Sequence, residues 1–231
     1  MKQVQLAWHL YSLDFNDAMP GNDMWGGGPN DLVWAPGFMT YETYPPGLPA
    51  LWTSPNRPML ESDSKGSIGK HVGNVSVYRC PSDKSFVIIG GQKLDRVRSY
   101  SANDYLGTHG PNQGGPNAST GKKFSKFSVI AGISPSDQWC IIEQQEDSIN
   151  DAVFVNNPRT LTAFSAWVEL AAARHQKGCC LSFADGHVEW HKWQEPSTLR
   201  PVYRSAFSGL VNVPPPSKDI KWVTEHATAL P

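Results

Sequence analysis

His187, Glu189 and His191 stand at every second position, so a strand through them carries two imidazoles and a carboxylate on one face. With His175 upstream and Asp185 between, the group has the donors for a metal site or for acid–base work. Two plainer readings compete. One is a solvated strand face with Val188 and Trp190 packed behind it. The other, which is the expectation, has His175 hydrogen-bonded to Asp185 or to a turn backbone group, bracing a hairpin. A second constellation is Glu143-Gln144-Gln145-Glu146-Asp147-Ser148-Ile149-Asn150-Asp151, dense in side-chain oxygens with little sulfur or nitrogen beside them. Hard oxygen donors suit Ca²⁺, which takes about 6–8 of them in flexible geometry. Glu143, Asp147, Ser148, Asn150 and Asp151 are the candidate ligands. The alternative is an acidic turn in which Asp or Ser caps a short helix.

Four cysteines are present, Cys80, Cys140 and the adjacent Cys179-Cys180, and none lies in a CxxC pair. They read as small buried apolar residues or, in an oxidising compartment, as one Cys80–Cys140 disulfide. No GxSxG elbow and no HExxH pair occurs. Gly115 to Gly121 with Lys122 misses the phosphate-loop spacing by one residue, and Lys123 stands where Ser or Thr belongs. Asp14-Phe15-Asn16-Asp17 begins like an EF-hand loop but lacks the glycine and glutamate that complete one.

These residues need elements to hold them. Apolar positions at mixed i+3 and i+4 spacing predict a helix over Val4 to Phe15, ended by Asp14 to Asp17 and Pro20-Gly21. A loop-rich segment over 18–70 interleaves Gly and Pro with Trp25, Trp34, Tyr41, Tyr44 and Trp52. Val75–Tyr78, Phe86–Ile89, Val97–Tyr100, Trp139–Ile142 and Val153–Val155 are predicted strands. Residues 107–121 read as a surface loop, Leu161–Ala173 as a helix, and Asp219–Ala229 as a short terminal helix. The sharpest local feature is a hairpin, in which Cys179–Phe183 and His187–Trp193 flank a two-residue Asp185-Gly186 turn.

The chain has 231 residues with 20 Lys and Arg against 21 Asp and Glu, a net charge of −1. That balance leaves no electrostatic footprint for nucleic acid or an anionic membrane. Gly 20 and Pro 19 make the chain loop-heavy, while 39% apolar residues and nine Trp support a packed core. No window approaches the roughly 20 apolar residues that cross a bilayer. Without a repeat or a clean linker, the organisation is one domain over 1–231.

Arg174-His175, nine residues, then Asp185-Gly186 resembles the H-X9-DG pattern of pseudopilin-like proteins of the type II secretion and type IV pilus class. Further blocks resemble that class in order: Gln5 to Tyr11, Tyr78 to Asp83, Arg98 to Asn103, Asp147 to Asp151, Phe183 to Glu189 and Asp219 to Trp222. The resemblance implies an α+β fold, with an N-terminal helix packed on a small antiparallel β-sheet. It implies a leader and an apolar helix of about 20 residues ahead of residue 3 in the full-length protein. It also implies an inner-membrane anchor and a domain on the periplasmic or extracellular side. A structural Ca²⁺ in a C-terminal loop is a further implication, carried to Asp147 and Asp151 by character. Where the class commonly has Asp-Glu-His before Asp-Ser-Ile-Asn-Asp, this chain has Glu143-Gln144-Gln145, which removes one charge and the imidazole from that run.

The expected function is therefore a non-catalytic, calcium-binding pseudopilin-like domain that assembles with other pseudopilin subunits through its N-terminal helix. The enzyme alternative is a Ca²⁺-dependent hydrolase of labile esters or lactones, with His175, Asp185 and His187 as catalytic residues and the aromatic segment 24–52 as acyl pocket. A third reading, a carbohydrate-binding module, rests on the same aromatics.

Overall fold

The computed structural model describes residues 1–22, 33–37, 39, 41, 67–89, 91–107, 121–156, 165–205 and 210–229. Lys2–Asp14 forms α1, whose inner face buries Val4, Ala7, Trp8 and Tyr11. Among the described residues two short α-helices follow, α2 (Gly69–Val72) and the C-terminal α3 (Lys218–Glu225). Ser217 caps α3, its Oγ accepting the Ile220 N–H at 3.2 Å.

The central sheet has five strands in the order β5-β3-β4-β7-β8. These are β3 (Tyr100–Asn103), β4 (Trp139–Glu143), β5 (Val153–Phe154), β7 (Gly178–Phe183) and β8 (Val188–Lys192). Two two-stranded ribbons accompany it, β1 (Phe86–Ile89) with β2 (Gln92–Asp95), and β6 (Ala166–Trp167) with β9 (Val211–Asn212). The fold is thus mixed α+β and strand-rich. Its sheet is antiparallel except at one edge, where β5 runs parallel to β3.

Each face of the sheet has its own core. On one side α1 packs against Tyr100, Ala102, Cys140 and Ile141. On the other, Ile220, Val223 and Ala227 of the C-terminal segment cover Trp139, Ile142, Cys179, Leu181 and Phe183. A register shift in β4 between Trp139 and Ile141 explains why the consecutive residues Cys140 and Ile141 both belong to the α1 side.

Several expectations are corrected. Val75–Tyr78 is a 3₁₀ helix, because the Asn74 side chain accepts the Ser76 N–H at 2.9 Å and starts a turn that the alternation does not register. Of the segment 161–173, the described part carries the short strand β6 rather than a helix. The β7–β8 turn is wider than two residues. Asp185 is not at positive φ, only Gly186 is (φ 91°), and the Phe183 N–H donates to His187 O at 3.0 Å. All four cysteines are free, so the Cys80–Cys140 disulfide is not formed. Most of the aromatic segment, including Trp25, Tyr44 and Trp52, lies outside the described residues, as does nearly all of 107–121; Trp34 is fully buried. Among the described residues no helix is long and apolar enough to cross a membrane.

Candidate functional site

Three side chains from distant parts of the sequence meet near the start of β7. His175 Nε2 lies 3.1 Å from Glu143 Oε1 and 3.3 Å from Cys80 Sγ. The three donor atoms all fall within 4.8 Å of one another, and among the described residues no other three His, Cys, Asp or Glu side chains converge in this way. Cys80 and Glu143 are buried, while His175 keeps 30% of its side chain exposed. The cluster therefore has one wet side.

Each donor is held from behind. Cys80 follows the 3₁₀ helix, and its N–H donates to Ser99 Oγ at 3.1 Å. Ser99 Oγ in turn donates to Asp83. Glu143 ends β4 opposite Tyr100, and its Oε2 accepts the Cys180 N–H at 3.0 Å from the neighbouring strand. His175 exchanges two backbone bonds with Gly178, and its carbonyl accepts Trp190 Nε1–H at 2.8 Å. A side chain at Gly178 would collide with the His191 carbonyl, which explains the glycine. Arg174 lies buried beside the cluster, 3.2 Å from Glu146 and 4.0 Å from Asp83.

This is not the geometry of a nucleophile relay. A base that takes a proton from a nucleophile uses one ring nitrogen and is oriented through the other. Here the thiol and the carboxylate both approach Nε2. Burial, followed by the Glu143 carboxylate, also pushes the Cys80 thiol up, which opposes a reactive thiolate.

The residues singled out in the sequence are divided by the fold. His175 does not brace Asp185, because its partners are Glu143 and Cys80. Asp185 instead accepts the His187 N–H at 3.0 Å and sits 2.6 Å from His187 Nδ1, with both side chains about 40% exposed. His175 precedes β7 and Asp185 follows it, so the six residues of β7 separate them by roughly 20 Å. The trio His175, Asp185 and His187 therefore does not gather at one reacting centre. Glu189 and His191 do share a face, being paired with Leu181 and Cys179. That face looks toward α3, where His191 stacks on Trp222 at 3.6 Å, away from His175 on the α1 side.

The acidic run braces loops. Asp147 accepts the N–H groups of Tyr203 and Arg204 at 2.6 and 2.8 Å. Ser148 Oγ accepts the Leu170 N–H at 2.9 Å, Asn150 Oδ1 the Asp151 N–H at 2.7 Å, and Asp151 Oδ1 the Val153 N–H at 3.0 Å. The carbonyls of the run are occupied too. Arg96 donates to those of Glu146 and Ile149, and Arg98 to those of Asn150 and Asp151. Burial draws fully enclosed Arg98 down to about 10, and these carbonyls surround it with acceptors.

A different kind of feature lies on α1. Leu6, Leu10 and Leu13 are exposed at i, i+4 and i+7, on the side opposite the buried Val4, Ala7, Trp8 and Tyr11. No family model, curated protein or solved structure matches the chain.

Proposed function

We propose that the chain is a non-catalytic, pseudopilin-like assembly domain whose outward packing element is α1. The observation that carries this reading is the stripe of Leu6, Leu10 and Leu13, 54%, 39% and 79% exposed. One exposed leucine on a surface needs no explanation; three aligned along a helix do. A helix that is apolar on two opposite sides suits a position between its own sheet and a neighbouring helix. The proposed partners are other pseudopilin-type subunits, contacted through this helix in the full-length protein. The same reading locates the domain on the periplasmic or extracellular side of an inner membrane.

The motif blocks support a structural role. Arg98, Asn103, Asp147 and Asp219 are buried and hydrogen-bonded across segments. Asn103, for example, donates to the carbonyls of both Trp139 and Ala227 and so ties β3 to β4 and to the C-terminal segment. Within the 143–151 run, N–H donors meet the side chains of Asp147, Ser148, Asn150 and Asp151. The hydrolase alternative loses its reacting group to the separation of His175 from Asp185 and His187. The test is replacement of Leu6, Leu10 and Leu13 by Ser in the full-length protein. The reading expects loss of co-assembly with the melting temperature retained; unimpaired assembly would refute it.

A further inference from the structure

We propose that Cys80 Sγ, Glu143 Oε1 and His175 Nε2 form a binding site for one transition-metal dication of the zinc type. The 143–151 run alone offers no such site, because it contains no imidazole or thiol. The fold supplies both, the thiol from Cys80 and the imidazole from His175, 95 positions apart in sequence.

The distances are close to those around an ion. Zinc held at about 2.3 Å from sulfur and about 2.0–2.2 Å from nitrogen and oxygen leaves tetrahedral edges of roughly 3.3–3.6 Å between donors. The observed edges, 3.1 Å for nitrogen to oxygen and 3.3 Å for sulfur to nitrogen, are shorter than these by a few tenths of an ångström, so the donors open only slightly to take an ion. A cation between the three donors would meet all of them at once. One sulfur, one nitrogen and one oxygen also select the ion class. Calcium and magnesium favour all-oxygen shells, while zinc and its neighbours accept mixed ones.

Charge and rigidity agree. A thiolate, a carboxylate and a neutral imidazole around a dication sum to zero, which keeps the cost of burying the centre low. The ligands are backed by the Cys180 N–H donating to Glu143, the Cys80 N–H donating to Ser99 Oγ, and the Gly178 and Trp190 bonds to the His175 main chain. Backing of this kind orients ligands at metal centres. The partly exposed side of His175 leaves a way in for the ion and room for water as a fourth ligand.

The probe is Co²⁺ added to reduced, chelator-treated protein, followed by absorption spectroscopy. The site predicts one equivalent bound, with a near-ultraviolet thiolate-to-cobalt band and the visible bands of a four-coordinate ion. Cys80→Ser should abolish the near-ultraviolet band, and His175→Ala and Glu143→Gln should weaken binding by roughly 10–100-fold or more. Cys180→Ser should keep the band. Absence of the band in the wild type, or its survival in Cys80→Ser, would overturn the proposal. X-ray absorption on zinc-loaded wild type needs no variant: one sulfur with nitrogen and oxygen around the ion supports the site, and a shell without sulfur overturns it.

Discussion

On its inner face α1 places Val4, Ala7, Trp8 and Tyr11 against the sheet and leaves them at most 5% exposed. On its outer face Leu6, Leu10 and Leu13 stay in water. The side chains on the two faces are alike in chemistry, and a helix of this length presents both stripes in the same few turns. What separates them is the cover: the inner stripe meets Tyr100, Ala102 and Ile141, and no described part of this chain covers the outer one. Apolar character alone therefore does not identify a core face. On the proposed reading the outer face serves assembly and the inner stability, and substitutions can separate the two.

The largest effect belongs to Trp8, fully buried and edge-on to Trp34 with ring centroids 6.0 Å apart. Trp8→Ala should lower stability by about 3–5 kcal/mol, read by chemical denaturation. Leu13→Ala on the outer face should stay within about 0.5 kcal/mol of wild type. Equal losses at the two positions would break the distinction between the faces.

A smaller effect is expected at Gln5, a buried polar residue on the inner side. Its Oε1 accepts Ser182 Oγ–H at 2.7 Å and joins α1 to β7. Gln5→Ala strands a hydroxyl with no exposure, and about 1–3 kcal/mol should be lost. If thermal melting instead coincides with that of the wild type, this bond does not help seat α1.

Beyond the sheet from α1, Glu169 tests how a buried charge is tolerated. Burial, followed by the Asp151 carboxylate, holds Glu169 well above the ordinary glutamate value. As pH rises, the unfolded chain loses this proton first, so the folded state binds more protons and stability falls through that window. Glu169→Gln keeps an oxygen for the Val155 N–H, which Glu169 accepts at 2.7 Å. It should melt above wild type at about pH 7 and alongside it at about pH 3.5. The same difference at both pH values would contradict the assignment.

The smallest effect is expected from calcium. With Asp147 and Asp151 already bonded to N–H groups, a calcium-selective chelator should leave the melting curve in place. A fall of several degrees would restore a structural ion, since a ligand at one hundred times Kd stabilises by about 2.7 kcal/mol.

Much of the frame was legible in the sequence. The helix over Val4–Phe15 appears as Lys2–Asp14, and the strands flanking Asp185-Gly186 appear as β7 and β8, because both patterns are local and periodic. The failures arise where a local competitor or a distant partner decides. Asn74 turns Val75–Tyr78 into a 3₁₀ helix through one side-chain bond. His175 finds Glu143 and Cys80 rather than Asp185, since sheet pairing places the end of β4 beside the start of β7, and spacing along the chain carries no trace of that. Cys80 and His175 do lie in two of the motif blocks. That was the available signal, but nothing in either block indicates that the two meet.

The most direct test of the account is site-specific cross-linking in the native assembly of the full-length protein. Leu6→Cys and Leu13→Cys, on the outer face of α1, should form cross-links to a neighbouring subunit under mild oxidation, while Ser12→Cys, on the buried side, should form none. Cross-linking that is absent at Leu6 and Leu13, or no stronger there than at Ser12, would contradict assembly through this helix.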